Sequence, residues 1–139
     1  MKDSIKIGLT YRHTFKISDN QTVPNFYPES DLFLDMPNVF ATGYMVGLLE
    51  WAWIELLRPH IEWPGEQTLG THVNFSHEAA TLPGMTVTVD AKLTKIEDRK
   101  LTFAVTAHDG VDTISNGTHE RVVIQKVRFL ERLAHKNLK

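Results

Sequence analysis

An α+β fold, an antiparallel sheet of about five strands around one long helix, is what two changes of period along the 139-residue sequence predict. Between Val39 and about His60, positions recur at steps of three and four: Val39, Thr42, Val46, Leu49, Trp53 and Leu56 on one stripe, Met45, Leu48 and Ala52 on a second. After that helix the period becomes two. Met85, Val87, Val89, Ala91 and Leu93 alternate with polar neighbours, and so do Leu101, Phe103, Val105 and Ala107. Each such strand has one buried and one polar face, and the short connections between strands make them antiparallel.

Taken in order, Ile5 to Ile17 reads as an amino-terminal strand. Ser18 to Pro37 carries three of the six prolines, yet its Val23, Phe26, Tyr27, Leu32, Phe33, Leu34 and Met36 are too apolar for a solvated linker. That stretch, residues 18–37, reads as a lid, either over a ligand mouth or closing one end of the core. The helix is apolar on most of its circumference, which places it inside the molecule, and Pro59 and Pro64-Gly65 stop it. Leu69, Thr71, Val73 and Phe75 form a strand before the meander. Glu97-Asp98-Arg99-Lys100 makes a turn, Asp109-Gly110 predicts a two-residue hairpin, and Val122 to Val127 forms the last strand. Residues 1–139 read as a single domain. A strand, a central apolar helix and a meander that wraps it look like a hotdog fold. Such a sheet leaves an edge strand unpaired, so a homodimer is expected.

Composition narrows the chemistry. With no cysteine there is no disulfide framework, thiolate metal site or cysteine nucleophile, so oxygen and nitrogen side chains must do the work. Fifteen Lys plus Arg against seventeen Asp plus Glu give no electrostatic footprint for nucleic acid or an anionic membrane. No apolar run is long enough to span a bilayer and the amino end lacks an h-region, so a cytoplasmic location is expected.

Three polar residues sit where the apolar pattern should continue. Thr42 opens the helix, where its hydroxyl serves either as an N-cap or as a functional group. Glu50 interrupts Leu48-Leu49-Glu50-Trp51-Ala52, so it is either a partly buried, activated carboxylate or a solvent-edge glutamate. Counting by twos from Val73 and Phe75 puts His77 on the inward face. An acid/base, a carboxylate and a hydroxyl around one pocket suit general acid–base or nucleophilic chemistry. Thr42 and Glu50, however, stand about 12 Å apart along a straight helix. Either the helix starts after Thr42, or the two residues serve different parts of a substrate, or they meet across a dimer interface. No metal is expected, since His72 and His77 point to opposite faces and His77-Glu78 lacks the second histidine of H-E-x-x-H. No phosphate-binding loop, dinucleotide fingerprint or G-x-S-x-G elbow occurs, so no cofactor is expected. His108 and His119 are expected at the surface.

The segments Val39 to Gly47, Glu50-Trp51-Ala52, Leu69-Gly70-Thr71, His77 to Thr81, Pro83 to Val89, Ala107 to Asp112 and Gly117 to Arg121 closely resemble the hotdog acyl-CoA thioesterases of the fluoroacetyl-CoA thioesterase type. The resemblance implies hydrolysis of a short-chain acyl-CoA, with Thr42, Glu50 and His77 as the catalytic set and the Gly70 N–H near the thioester carbonyl. It implies that Glu50 attacks the carbonyl or activates water, that Thr42 orients, and that His77 moves protons. Val23, Phe26, Phe33 and Met36 would then face the acyl group, Met36 standing where the family has a gating phenylalanine. Arg121 and the Arg99-Lys100 turn are candidates for coenzyme A phosphate contacts, with a structural ion pair and a solvated turn as the alternative readings. A hotdog hydratase or dehydratase and a non-catalytic acyl-CoA binding module are the competing readings.

Overall fold

The computed structural model describes residues 1–137. The chain enters the sheet at β1 (Thr10–Lys16), later than the expected Ile5, because Gly8 at φ +98° breaks the extended run and regular pairing with β3 starts only at Thr10. Residues 18–37 are tied down locally. Ser18 and Gln21 form a capping box around one short turn, and Ser30 caps the four-residue α1 (Asp31–Leu34). The long helix α2 spans Thr42–Leu57, and a tight turn, Arg58–His60, ends it. Val39 and Phe40 remain outside the helix, Phe40 pairing with Thr22 and donating its N–H to the Thr81 carbonyl at 2.8 Å.

Four further strands follow: β2 (Glu66–Phe75), β3 (Thr86–Glu97), β4 (Lys100–His108) and β5 (Thr113–Gln125), before the carboxy-terminal α3 (Lys126–Leu133). All pairings are antiparallel, in the order β1-β3-β4-β5-β2, so β1 and β2 are the edges. The final strand runs much further back than Val122. The expected two-residue hairpin is a four-residue loop instead, because the Asp109 carboxylate turns inward and accepts from the N–H groups of Val111 and Asp112 and from the Thr81 hydroxyl.

This is the hotdog arrangement. Met45, Leu48, Leu49, Ala52, Trp53, Leu56 and Leu57 of α2 are buried against Val87, Val89, Ala91, Leu93, Leu101, Phe103, Val105 and Ala107 on the inner faces of β3 and β4. Burying each leucine-sized side chain contributes roughly 1.5–3 kcal/mol. Trp53 anchors the centre, its ring 5.8 Å from Phe103 and 5.9 Å from Phe75. The helix is not enclosed all round. Tyr44 and Trp51 lie on an open flank, where Trp51 rests on His13 and Phe15 of β1 at 4.4 and 5.9 Å.

Strand β2 carries a register shift between Gly70 and His72. Residues opposite each other share a face, so Gly70 with Arg121, and Val73 with His119, look inward, whereas Leu69 opposite Val122 looks outward. The bulge therefore corrects the expected inward run Leu69, Thr71, Val73, Phe75: only its Val73 and Phe75 half holds. Leu69 and Val73 remain 37% and 49% exposed on this edge.

Removing the buried Asp109 carboxylate strands one hydroxyl and two backbone donors, so Asp109→Ala should cost about 2–4 kcal/mol in urea unfolding and loosen the segment from His77 to Thr81.

Candidate active site

The polar interruptions of the core gather in two places. At the first, Ala41 is the N-cap of α2, with extended backbone (φ −72°, ψ 138°) and no capping side chain. Thr42 is therefore the first helical residue, and of the two roles open to its hydroxyl the N-cap is not the one it takes. Its hydroxyl instead meets His77 Nδ1 at 2.8 Å. His77 lies two residues beyond the end of β2, and the Asp109–Thr81 and Thr81–Phe40 bonds pin the segment that carries it. Burial pushes the His77 imidazole below its ordinary value, favouring the neutral ring. Its Nε2 has no hydrogen-bond partner among the described residues. A cavity of about 250 Å³ opens beside the pair, lined by Val23, Val39, Phe40 and the His77–Ala80 segment.

At the second place, Glu50 projects from α2 towards β2 and β5. Its Oε2 accepts from Arg121 Nη1 at 2.8 Å. Arg121 is 2% exposed, with Nε donating to the Thr68 hydroxyl and Nη2 to the Thr68 carbonyl, both at 2.9 Å. Arg121 Nη1 also lies 3.1 Å from His119 Nε2, and the His119 ring stacks on Trp53 at 4.3 Å. Gly70 completes the group by having no side chain: a Cβ there would stand 2.8 Å from Glu50 Oε2 and 3.1 Å from His119 Cε1. Glu50 Oε1 accepts no hydrogen bond from any described residue.

Beside the first site lies the 18–37 segment. Phe26 packs against Tyr27, Phe33 and Tyr44 with ring centroids 5.1, 6.0 and 5.2 Å away. A Cβ on Gly43 would overlap the Phe26 ring, so glycine beside Thr42 is what admits the lid aromatic. Val23 lines the cavity, whereas Met36 is 51% exposed and Leu32 83%.

Thus Thr42 joins His77, and Glu50 joins Gly70, but the two pairs sit at opposite ends of two helical turns. Because α2 begins at Thr42 itself, a late helix start does not bring them together. Arg121 faces Glu50 from the interior and presents nothing to a phosphate group. His119, expected at the surface, is fully buried. Counting back by twos from apolar Val123 through Arg121 reaches His119, and this signal would have placed both inside.

The model of the family described as fluoroacetyl-CoA-specific thioesterase matches residues 17–127. The fluoroacetyl-CoA thioesterase of Streptantibioticus cattleyicolor is 48% identical over 136 residues, 98% of this chain and 97% of that protein. The chain belongs to the fluoroacetyl-CoA-specific thioesterase family. A solved structure of the family's thioesterase FlK matches with TM-score 0.93 and 47% identity, over 98% of this chain and 100% of that one. A thioesterase superfamily member from Thermus thermophilus is more distant, at TM-score 0.81 and 28% identity over 96% of each chain. These matches place the hotdog fold seen here inside the fluoroacetyl-CoA-specific thioesterase family. No helix among the described residues is long and apolar enough to cross a membrane.

Burial and the positive charge of Arg121 push the His119 imidazole down to about 4, against the opposing pull of Glu50, of the His72 backbone and of Glu120. The unfolded chain, with an ordinary imidazole near 6.5, binds this proton first as pH falls. Stability linked to His119 is therefore complete above about pH 6.5 and lost between about 6.5 and 4, up to about 3 kcal/mol. Urea midpoints measured at pH 7 and pH 5 should fall further for the wild type than for His119→Gln.

Proposed function

We propose that the protein is a homodimeric acyl-CoA thioesterase, hydrolysing a short-chain acyl-CoA, fluoroacetyl-CoA among the candidates, to the free acid and coenzyme A. The observation that carries this reading is the spare carboxylate oxygen of Glu50 beside Gly70, in a chain whose relatives are named for thioester hydrolysis. The same names favour hydrolysis over hydration of the acyl chain or binding without turnover. A cytoplasmic setting, where acyl-CoA esters are made and consumed, suits the substrate.

The reacting set is Thr42, Glu50 and His77. Glu50, held at Oε2 by Arg121, uses Oε1 either to attack the thioester carbonyl carbon or to take a proton from the attacking water. His77, neutral at rest, takes up at its unpartnered Nε2 the proton that the attacking water loses, directly or by way of Glu50, and passes it to the coenzyme A thiolate as the C–S bond breaks, while Nδ1 stays on the Thr42 hydroxyl. Gly70, which lets the carbonyl approach Glu50 without obstruction, contributes a backbone N–H to the developing oxyanion. Val23, Phe26 and Phe33 enclose the acyl group, and Met36 closes over it when the lid moves.

A second copy of the chain resolves the 12 Å gap. Strand β2 is an unpaired edge bearing exposed Leu69 and Val73, and antiparallel pairing with its own copy would cover both. A two-fold axis near Val73, towards the end of β2, would bring the end of the partner strand, followed by its own Thr42–His77 pair, alongside Gly70 and Glu50 of the first chain. Each thioester would then lie between Glu50 of one protomer and the Thr42–His77 pair of the other.

Thiol release from a panel of short acyl-CoAs tests the assignment. Glu50→Gln and His77→Ala should each lower kcat by about 10²–10⁴-fold. Rates equal to wild type in Glu50→Gln would overturn the role of the carboxylate, and a monomer of full activity in gel filtration would overturn the shared site.

A further inference from the structure

The imidazole buried behind Glu50 has no part in the reaction as proposed above. His119 is fully buried, its face lies on Trp53, and its Nε2 is 3.1 Å from Arg121 Nη1. A guanidinium has five donors and no acceptor, so in this contact His119 Nε2 must accept. The ring is then neutral, with its proton on Nδ1. Arg121 Nη1 has two N–H bonds: one goes to Glu50 Oε2 at 2.8 Å and the other to His119. Thr68 holds the opposite side of the guanidinium through its hydroxyl and carbonyl. The fork is thus clamped at both sides, and the direction of the N–H that reaches Glu50 is set by the acceptor on its twin.

We propose that His119 is a positioning residue: as a neutral acceptor it fixes the Arg121 guanidinium, and through it aims the Glu50 carboxylate at the thioester carbonyl. The inference rests on the catalytic reading of Glu50. Neutral imidazole is required because an imidazolium would lose the acceptor and place a second positive charge beside Arg121. Gly70 shares in the arrangement, since any Cβ there would press on both Glu50 Oε2 and His119 Cε1. Misaiming the carboxylate lowers the rate of the chemical step without touching the groups that bind the acyl or coenzyme A portions, so kcat should fall while KM stays in place.

Two substitutions separate aim from packing. His119→Phe keeps a flat ring on Trp53 but offers no acceptor. His119→Gln loses the ring yet can present an amide oxygen where Nε2 was. The proposal expects kcat to drop about 10–100-fold in His119→Phe at unchanged KM, and to recover most of the wild-type value in His119→Gln. A purely structural histidine gives the reverse order, Phe tolerated and Gln damaging, and that result overturns the proposal. If His119→Phe fails to fold, His119→Asn replaces it: the shorter amide cannot reach Nη1, so its kcat must fall below that of His119→Gln, and equal kcat values overturn the inference. Glu50→Gln run alongside keeps the two ideas apart. Its loss of activity together with a fully active His119→Phe removes the positioning role alone, whereas an active Glu50→Gln removes the catalytic reading itself.

Discussion

A guanidinium buried beneath a sheet has to be neutralised, and much of the candidate site follows from meeting that need for Arg121. An isolated buried charge costs several kcal/mol, and removing one partner of a buried pair typically costs about 3–5 kcal/mol. Burial works against the charge on Arg121, while its bond to Glu50 supports it. That is the physical reason for a carboxylate in the apolar run of α2. It also explains the inward Thr68, which takes two of the guanidinium donors, and the missing side chain at Gly70, where a Cβ would push the carboxylate off its partner. The helix supplies the core and the sheet encloses it, and the Arg121–Glu50 contact ties the helix to β5.

The second polar pair obeys a different constraint. Thr42 and His77 meet because α2 takes its N-cap from the backbone of Ala41, freeing the threonine hydroxyl, and because the loop after β4 reaches across to Thr81 through Asp109. The segment bearing His77 belongs to no regular element; the anchors at Thr81 hold its far end, and the N–H groups of Ser76 and Glu78, on either side of His77, donate to the Asn116 and Ile114 carbonyls of β5 at 3.1 and 2.7 Å. Above it, the 18–37 segment gains its hold on α2 by fitting Phe26 against Gly43, one residue from the Thr42 hydroxyl. The Thr42–His77 contact and the seat of Phe26 thus share the first turn of the helix.

Much of this was legible in the residues. The change of period after His60 marks the boundary between filling and wrapping, the alternations of β3 and β4 identify their buried faces, and Glu50 and His77 stand out as breaks in an apolar pattern. What escaped had local causes. The bulge near Thr71 shifts the strand by one residue and puts Leu69 on the face opposite Val73, which simple alternation cannot foresee. The loop at Asp109-Gly110 is longer than its dipeptide suggests because Asp109 is recruited to the interior by Thr81, a partner 28 positions away. His119 and Arg121 look like surface residues by type, and only the parity they share with Val123 reveals them as core. The family resemblance pointed to Thr42, Glu50 and His77, but it did not reveal that they fall into two separate pairs within one chain.

In the proposed dimer these two pairs become one site across a two-fold interface. Complementation measures it directly. A Glu50→Gln chain and a Thr42→Ala/His77→Ala chain, each inactive alone, are unfolded, mixed in equal amounts and refolded together. If the site is shared, half of the dimers are mixed and each holds one intact site of two, so the mixture should recover about a quarter of wild-type kcat per protomer, by random pairing of subunits. Activity that stays at the level of the separate variants, in a mixture shown to contain mixed dimers, would place all three residues of each site within a single chain and contradict the account.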